Sequence, residues 1–239
     1  MELLDALRTT AAVREFRKEA VPDEVIGRIV DTARFAPSGG NRQGWRVIVL
    51  RDPELKRKVR DLYLPGWYDY LAIASAGLVP WAPLTDEKAE SDALSRAPEF
   101  AAAASDGGFA EHLDEVPLLV VLLADLRRLA AVDRGFDRYT FAGGASVYPF
   151  AWSILLAARA EGLGGVMTTM AIRFEKEMRA LLAVPDEFAL AAVLALGRPM
   201  NAPTRLRRNP VEEFATIDRF DGPALSRVVA PRSESPGLR

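Results

Sequence analysis

The stretch Ala36–Arg46, APSGGNRQGWR, carries the most informative pattern in this sequence. Gly39 and Gly40 are adjacent, and two consecutive glycines let a backbone come close to a flat ligand or adopt positive φ angles. Asn41 and Gln43 each carry a hydrogen-bond donor and an acceptor, which suits a heterocycle whose edge alternates N–H and C=O groups. Taken alone, the pattern favours a simpler interpretation, a helix C-cap and a turn that leads into a strand.

The residues on either side of this stretch have the periodicity of regular structure. Before it, Pro22 and Asp23 are typical of a helix start. The apolar residues that follow have the spacing of one buried helix face: Val25, Ile26, Ile29, Val30 and Ala33. After it, residues 45–50 predict a strand, and Pro53 predicts the start of a helix that runs to about Leu64.

The rest of the chain predicts two more strands and three more helices. The strands cover Pro117–Ala124 and Phe188–Leu196, and the helices cover residues 3–8, 144–160 and 175–182. Residues 65–115 lack clean periodicity, and we expect an insertion or lid with short helices there, or a plain surface excursion. Few strands spread among many helices predict one sheet with helices on both faces, an α+β three-layer domain.

Composition excludes several classes of chemistry. The 239 residues include no cysteine and a single histidine, His112. Disulfides, thiolate nucleophiles, iron–sulfur clusters and zinc sites built from several imidazoles are therefore excluded. A carboxylate site for Mg²⁺ stays open, although we assign no metal ligand. We interpret His112 as a solvated residue, and if the chain is an enzyme we expect a bound organic cofactor to carry the chemistry.

Charge and hydropathy limit the partners. The net charge of −2 argues against a general nucleic-acid binder. No apolar stretch reaches the roughly 20 residues that cross a bilayer, so no membrane partner is expected. The first residues lack the pattern of a signal peptide, which makes the cytoplasm the expected location.

Three further segments could bind a ligand. The guanidinium of Arg14 suits a phosphate, and the basic cluster Arg205–Arg208 suits the other side of the same anion. Each could equally be a solvated charge, Arg14 in an ion pair with the neighbouring Glu15. Residues 164–169, GGVMTT, place small residues and two hydroxyls at a strand end, where a planar ligand or a plain glycine turn explains them equally well. No dinucleotide or triphosphate glycine motif occurs.

Together, and in this order, these segments resemble the nitroreductase family of FMN-dependent oxidoreductases. Ala36–Arg46 is close to the family signature A-P-S-x-x-N-x-Q-x-W. Support comes from Val13–Phe16, Gly162–Gly164, Pro185 and Leu196–Pro199. The resemblance runs from about residue 7 to 52 and from about 143 to 219, and it does not cover the middle of the chain.

The resemblance implies a three-layer nitroreductase-like fold with a central, mostly antiparallel sheet flanked by helices. It implies a single domain over residues 1–239, with a variable insertion or lid at about 65–115 and a C-terminal extension at about 200–239. It also implies an obligate homodimer with FMN at the interface, and we expect the tail Asp218–Arg239 to embrace the partner.

The resemblance further implies a set of cofactor-binding positions. Arg14, Arg207 and Arg208 match residues on the FMN phosphate; Ser38, Gly39, Asn41 and Gln43 match the lining of the flavin ring and ribityl chain; and Met167, Thr168 and Thr169 match the stretch beside the reactive N5 edge. The sequence departs from the family at Ala11-Ala12, where Arg-Ser or Arg-Ala is usual, and at Trp152-Ser153, where many relatives carry Gln-Asn. The first departure removes an expected guanidinium, for which Arg207 and Arg208 would have to compensate.

The implied mechanism has two half-reactions at one site. Hydride passes from NADH or NADPH to flavin N5, and a small oxidised substrate then takes its place, so no catalytic side chain is implied. The aromatic residues of the 67–81 segment could form a lid that stacks on the substrate. The alternatives are a reductive dehalogenase, an enzyme that fragments reduced FMN, a flavin-binding protein without turnover, and a scaffold that has lost the cofactor.

Overall fold

The structure is a computed structural model, and it describes residues 2–104, 107–137, 141–201 and 205–225. The chain divides into two compact units between residues 204 and 205. The described part of the second unit has a 3₁₀ turn at Val211–Glu213 and an isolated antiparallel bridge between Thr216 and Ala224. Residues 226–239, the larger part of the tail predicted to embrace a partner, lie outside the described residues.

The first unit alternates helices and strands along the chain. In order, they are α1 (Leu3–Thr9), α2 (Asp23–Ala33), β1 (Trp45–Leu50), α3 (Pro53–Ser75), α4 (Glu87–Leu94), α5 (Ala97–Ala103), β2 (Leu118–Asp125), α6 (Tyr148–Ala160), β3 (Gly164–Thr168), α7 (Glu175–Leu181) and β4 (Phe188–Gly197). The elements predicted from periodicity are present, and α3 is longer than predicted. None of the described helices is long and apolar enough to cross a bilayer.

The four strands form one antiparallel sheet in the order β1-β2-β4-β3. All eight residues of β2 are buried. An amphipathic strand would leave one face to solvent, so this burial means that helices cover both faces of the sheet. The predicted α+β three-layer fold, with a central antiparallel sheet, is confirmed.

Alternate residues of the central strands enter two separate cores. On one face, Leu118, Val120 and Leu122 pack with residues of α2 and α6 such as Ile29 and Ile154. On the other face, the intervening residues of β2 pack with residues of α3 and α7: Leu119, Val121, Leu123, Val59, Tyr63 and Met178. We call these the α2/α6 face and the α3/α7 face.

Helix α3 continues to Ser75, beyond the end predicted near Leu64. Asp52 caps it by accepting a hydrogen bond from the Glu54 backbone N–H, at 2.9 Å. Pro65 lies inside the helix and removes one backbone hydrogen bond, a change that usually ends or kinks a helix. Buried residues on both sides of the proline, Tyr63 and Gly66, hold the chain against the α3/α7 face, so tertiary packing overrides the local signal.

Candidate active site

The segment between α2 and β1 is a tight, exposed loop with left-handed backbone. Gly40, Asn41 and Gln43 have φ angles of 61°, 53° and 50°. The Gln43 backbone N–H donates to Ser38 Oγ at 3.0 Å, and Gln43 Nε2 donates to Asn41 Oδ1 at 3.3 Å. These bonds do not use the Asn41 amide N–H groups or the Gln43 amide oxygen, and both residues are exposed, so a donor and an acceptor remain available to a ligand.

Contacts from other elements fix this loop, which we call the 38–43 loop. The Gly39 N–H donates to Ser146 Oγ at 3.0 Å, which ties the loop to the 3₁₀ turn Ala142–Ser146 in front of α6. The Arg128 guanidinium donates to the Arg42 carbonyl at 3.2 Å. Sequence reasoning did not identify Ser146 or Arg128, because neither belongs to the signature and their partners lie about 90 or more residues away.

A cavity of about 240 Å³ lies on the α3/α7 face, at the end of β3. Four of the predicted site residues line it together: Arg14, Met167, Thr168 and Thr169. The remaining walls come from Tyr63, Trp67, Tyr70, Phe109, Val166 and Met170. The structure therefore brings the N-terminal arginine and the end of β3 to one site, which we call the β3 cavity.

Aromatic rings form one wall of the β3 cavity. Trp67 and Tyr70 stack with their ring centroids 5.3 Å apart and 6° between planes. The ring centroids of Trp81 and Tyr70 are 6.3 Å apart. The Arg173 guanidinium lies 5.1 Å from the Trp81 ring centroid. Stacked rings at the mouth of a cavity offer a flat apolar surface to a planar ligand. The lid role of this segment stays a prediction.

Two hydroxyl groups form a pair in the lining of the cavity. Tyr63 of α3 is 2% exposed, and its hydroxyl is 3.0 Å from Thr168 Oγ1. Burial raises the pKa of the Tyr63 phenol, against smaller opposing effects from the Thr168 hydrogen bond and the nearby Arg14 charge. Tyr63 therefore stays protonated at neutral pH. Sequence reasoning did not identify it, because a tyrosine on an amphipathic helix carries no signal that distinguishes it from core.

Arg14 is exposed and free to bind an anion. It forms no ion pair with Glu15 or with any other carboxylate in the described parts of the chain, which argues against the simple ion-pair interpretation. The guanidinium lies between the β3 cavity and a groove of about 120 Å³ that is also lined by Lys18 and His112. His112 is exposed, as expected, and its Nδ1 is 3.0 Å from Glu115 Oε1.

Arg207 and Arg208 belong to the second unit. The Arg208 guanidinium donates to the Arg207 carbonyl at 2.6 Å, and both residues are exposed. Neither forms an ion pair with another described residue of its unit. That they share an anion with Arg14 stays a prediction.

The 38–43 loop and the β3 cavity lie at opposite edges of the sheet. Trp45, just after the loop, pairs with Ala124, which pairs with Ala189 in β4, whereas Thr168 pairs with Val193. Three interstrand gaps of about 4.8 Å and four residues of about 3.3 Å separate Trp45 from Thr168, a distance of about 19 Å. The loop also follows α2, on the opposite face from the cavity. The described residues that line the cavity include no residue of the 38–43 loop.

Comparison with known proteins decides the family. The sequence model of the Nitroreductase family matches residues 7–198. The chain belongs to the nitroreductase family. It is 31% identical to an NADH dehydrogenase of Thermus thermophilus, over 84% of this chain and 88% of that protein. This membership supports an oxidoreductase activity.

Two solved nitroreductase-fold structures share the architecture. One is a BluB-like flavoprotein from Clostridium difficile 630, with a TM-score of 0.66 and 24% identity over 92% of this chain and 100% of that one. The other is an oxidised iodotyrosine deiodinase bound to FMN and 3-iodo-L-tyrosine, with a TM-score of 0.64, 23% identity and the same coverage. At these identities the comparison establishes the fold.

In this nitroreductase-family chain, the β3 cavity is lined by the types of residue that suit a flavin. Arg14 offers a cation, Thr168 a hydroxyl, and Trp67 and Tyr70 a flat apolar wall. The cavity, at about 240 Å³, is smaller than the roughly 300–1,000 Å³ typical of small-molecule sites. The departure noted in sequence also persists, because Ala11 and Ala12 offer no polar side chain and the Thr10 hydroxyl donates to the Ala6 carbonyl at 2.7 Å.

The described residues contain no group of three or more carboxylates and histidines placed to hold a metal ion. His112 has one carboxylate neighbour, Glu115, at ion-pair distance.

Proposed function

We propose that the chain is an FMN-dependent oxidoreductase that passes electrons from NADH or NADPH to a small oxidised substrate such as a nitroaromatic or a quinone. One observation carries the proposal: the β3 cavity brings together Arg14, Met167, Thr168 and Thr169, the residues that match the family's phosphate and N5 positions. The names of the relatives support it, since one is an NADH dehydrogenase and one solved structure holds FMN.

The chain's residues would bind and orient the reactants. Arg14 would bind an anionic group of the cofactor, and the Thr168 hydroxyl would offer a hydrogen bond at the edge that reacts. Trp67 and Tyr70 would exclude water and hold a flat ring in reacting distance, about 3–3.5 Å. Bound FMN would supply a hydride acceptor at N5. In the ping-pong sequence that the family resemblance implies, donor and substrate would bind in turn at the same site.

The proposed active form is a homodimer in which the 38–43 loop of one protomer completes the β3 cavity of its partner. The separation of about 19 Å within one chain supports this arrangement, as does the exposure of Asn41 and Gln43. Large apolar side chains are also exposed on α1 and on the packed helix α6: Leu3, Leu4, Leu7, Tyr148 and Trp152. Exposed apolar residues on adjacent helices are typical of a surface that another protein covers.

The first test is the absorbance spectrum of the purified protein, followed by anaerobic titration with NADH and with NADPH. We expect a yellow protein whose flavin absorbance is bleached by at least one of the two donors. A yellow protein that neither donor bleaches would indicate a flavin-binding protein without turnover. A protein that stays colourless after FMN is added would indicate that the cofactor has been lost.

The second test separates a shared site from a site within one chain. Chains with Arg14→Ala and chains with Asn41→Ala would be coexpressed with different tags, and the mixed dimer isolated. If the loop serves the partner's cavity, the mixed dimer has one intact site and one doubly altered site, so half of its sites bind FMN with wild-type affinity. If each chain forms its own site, every site carries one substitution and none binds normally.

A second candidate is a flavin enzyme of the dehalogenating or flavin-fragmenting kind. The solved structures described above favour it, since one is an iodotyrosine deiodinase and the other a BluB-like flavoprotein. Product analysis after reduction separates the candidates. Intact FMN and a reduced nitroaromatic support the reductase, halide released from a halotyrosine supports the dehalogenase, and ring fragments formed in air support flavin cleavage.

A further inference from the structure

Tyr63 is a buried titratable group that the proposed reaction does not use. It lies in the middle of α3, its ring packs in the core of the α3/α7 face, and its hydroxyl reaches the β3 cavity. The only described side chain within hydrogen-bonding distance of that hydroxyl is Thr168, at 3.0 Å. Close packing around the Tyr63 ring, which is 2% exposed, restricts its movement and so holds its hydroxyl beside Thr168.

The chemistry of the two hydroxyls sets the direction of this hydrogen bond. A phenol is a much stronger acid than an aliphatic alcohol and a poorer acceptor, so the better-matched pair has Tyr63 donating and Thr168 accepting. Burial raises the pKa of Tyr63, and its charged neighbours, Arg14 and Glu111, act in opposite directions, so the phenol keeps its proton. Thr168 then accepts from Tyr63, which leaves its own proton available to a ligand in the cavity that it lines.

We propose that Tyr63 is a positioning residue that fixes Thr168 as a hydrogen-bond donor to the ligand in the β3 cavity and thereby lowers the electron affinity of the bound cofactor. This inference rests on the proposed function. Bound FMN would present its reactive ring nitrogen to Thr168, as the family resemblance implies, and that nitrogen would accept a hydrogen bond in the oxidised cofactor and carry a hydrogen in the reduced one. A hydroxyl held as a donor therefore stabilises the oxidised form more than the reduced form.

The test is the midpoint potential of the bound flavin in wild type and in Tyr63→Phe, which removes one oxygen and keeps the ring. We expect the variant to have a more positive potential, because Thr168 is then free to turn and accept from the reduced ring. Its affinity for oxidised FMN should fall by between about twofold and tenfold, the usual net value of one hydrogen bond. Tyr68→Phe is the matched control, since it removes the same atom from the same helix at a residue outside the cavity lining.

Variants of Thr168 separate positioning from a merely structural role. Thr168→Val should raise the potential as Tyr63→Phe does, Thr168→Ser should restore the wild-type value, and the double variant Tyr63→Phe/Thr168→Val should match Thr168→Val alone. A structural role would lower the melting temperature of Tyr63→Phe and leave the potential unchanged, which would overturn the inference.

A second measurement covers the case in which Tyr63→Phe does not fold. Replacement of all tyrosines by 3-fluorotyrosine makes the phenol more acidic and a stronger donor, so the potential should become more negative in wild type and stay unchanged in Thr168→Val. Equal shifts in both proteins would overturn the inference. Failure of wild type to bind FMN would overturn the proposed function, and this inference with it, and it is recognised before any variant is made.

Discussion

The 38–43 loop and the β3 cavity are both predicted to bind the cofactor, but they differ in structure. The loop is exposed, its shape comes from left-handed backbone at Gly40, Asn41 and Gln43, and its few anchors are single hydrogen bonds. The cavity is built on the pairing of β3 with β4 and on α3, with the Tyr63 ring packed in the core behind it. The difference shows that a strong sequence signature marks a segment with an unusual backbone conformation. A site formed by packing of several elements leaves little sequence pattern in any one of them.

The largest expected effect concerns the strand behind the cavity. A Cβ added at Gly165 would lie 2.7 Å from the Ala195 carbonyl oxygen, inside the sheet, where the backbone cannot move aside. We expect Gly165→Ala to lower the free energy of unfolding by about 3 kcal/mol, as overpacked cores do. Chemical denaturation measures this loss.

The matched control for this prediction is Gly27→Ala in α2. A Cβ there meets no atom within 4 Å, so the helix should gain roughly 0.5–1 kcal/mol from the better helix former. Equal stabilities of wild type and Gly165→Ala would mean that the strand behind the cavity is looser than the structure indicates.

The next effect concerns the cation of the cavity. Arg14→Ala should weaken FMN binding by about 10- to 100-fold, because a charge-assisted hydrogen bond contributes roughly 1.5–3 kcal/mol. Arg14→Lys should recover part of the loss, since the charge remains but the bidentate geometry does not. Quenching of flavin fluorescence measures both dissociation constants.

Riboflavin shows which part of the cofactor Arg14 binds. Riboflavin lacks the phosphate, so Arg14→Ala should leave its affinity unchanged if the guanidinium binds that group. A parallel loss for riboflavin would place Arg14 at the ring instead. Arg17→Ala is the control, because it removes an equal charge from the same segment at a residue that lines neither the cavity nor the adjacent groove.

A smaller effect is expected in the loop. Gly40 has a φ angle of 61°, and a side chain in that region costs about 1–2 kcal/mol. Gly40→Ala should therefore lower stability by less than Gly165→Ala does, while it weakens FMN binding through the altered position of Asn41. A stability loss as large as that of Gly165→Ala would contradict the view that the loop is anchored only locally.

The sequence predicted the fold, and it named four of the residues that line the β3 cavity, for identifiable reasons. Continuous apolar stretches predicted β2 and β4, and helical spacing of apolar residues predicted α2 and α6, because these elements bury one face or both against a core. The signature placed the loop, since glycines and short amides mark unusual backbone. Periodicity failed at Pro65, where packing of Tyr63 and Gly66 on the sheet outweighs the local helix break.

Hydrogen-bond partners in the site could be predicted from the sequence only where the two residues lie close together along the chain. Ser146 and Gly39 are 107 residues apart, and Tyr63 and Thr168 are 105 residues apart, so neither hydrogen bond leaves a local pattern. The signature located Gly39 and the family resemblance of residues 164–169 located Thr168, and tertiary structure supplied the other residue of each pair. The separation between the loop and the cavity could not be predicted from the sequence either, because no single segment determines the order of the strands in the sheet.

The smallest expected effect is a pH dependence of stability, and it tests how the 38–43 loop is anchored. Asp125, at the end of β2, accepts hydrogen bonds from the Arg127 guanidinium at 2.9 Å and lies 3.4 Å from that of Arg128, which in turn donates to the Arg42 carbonyl in the loop. The Arg127 hydrogen bonds lower the pKa of Asp125 from 3.8 to about 2, against the opposing effect of desolvation.

Because this pKa is lower in the folded state than in the unfolded chain, the ionised carboxylate adds stability above pH 4, and the contribution is lost as the pH falls through 2. Wild type should therefore melt at a higher temperature than Asp125→Asn at neutral pH, and the gap should close between about pH 4 and pH 2. Arg127→Gln, which removes the partner instead, should give the same pattern. A gap that stays constant down to pH 2 would show that Asp125 contributes through its shape and backbone position rather than its charge, and that the loop is not anchored electrostatically.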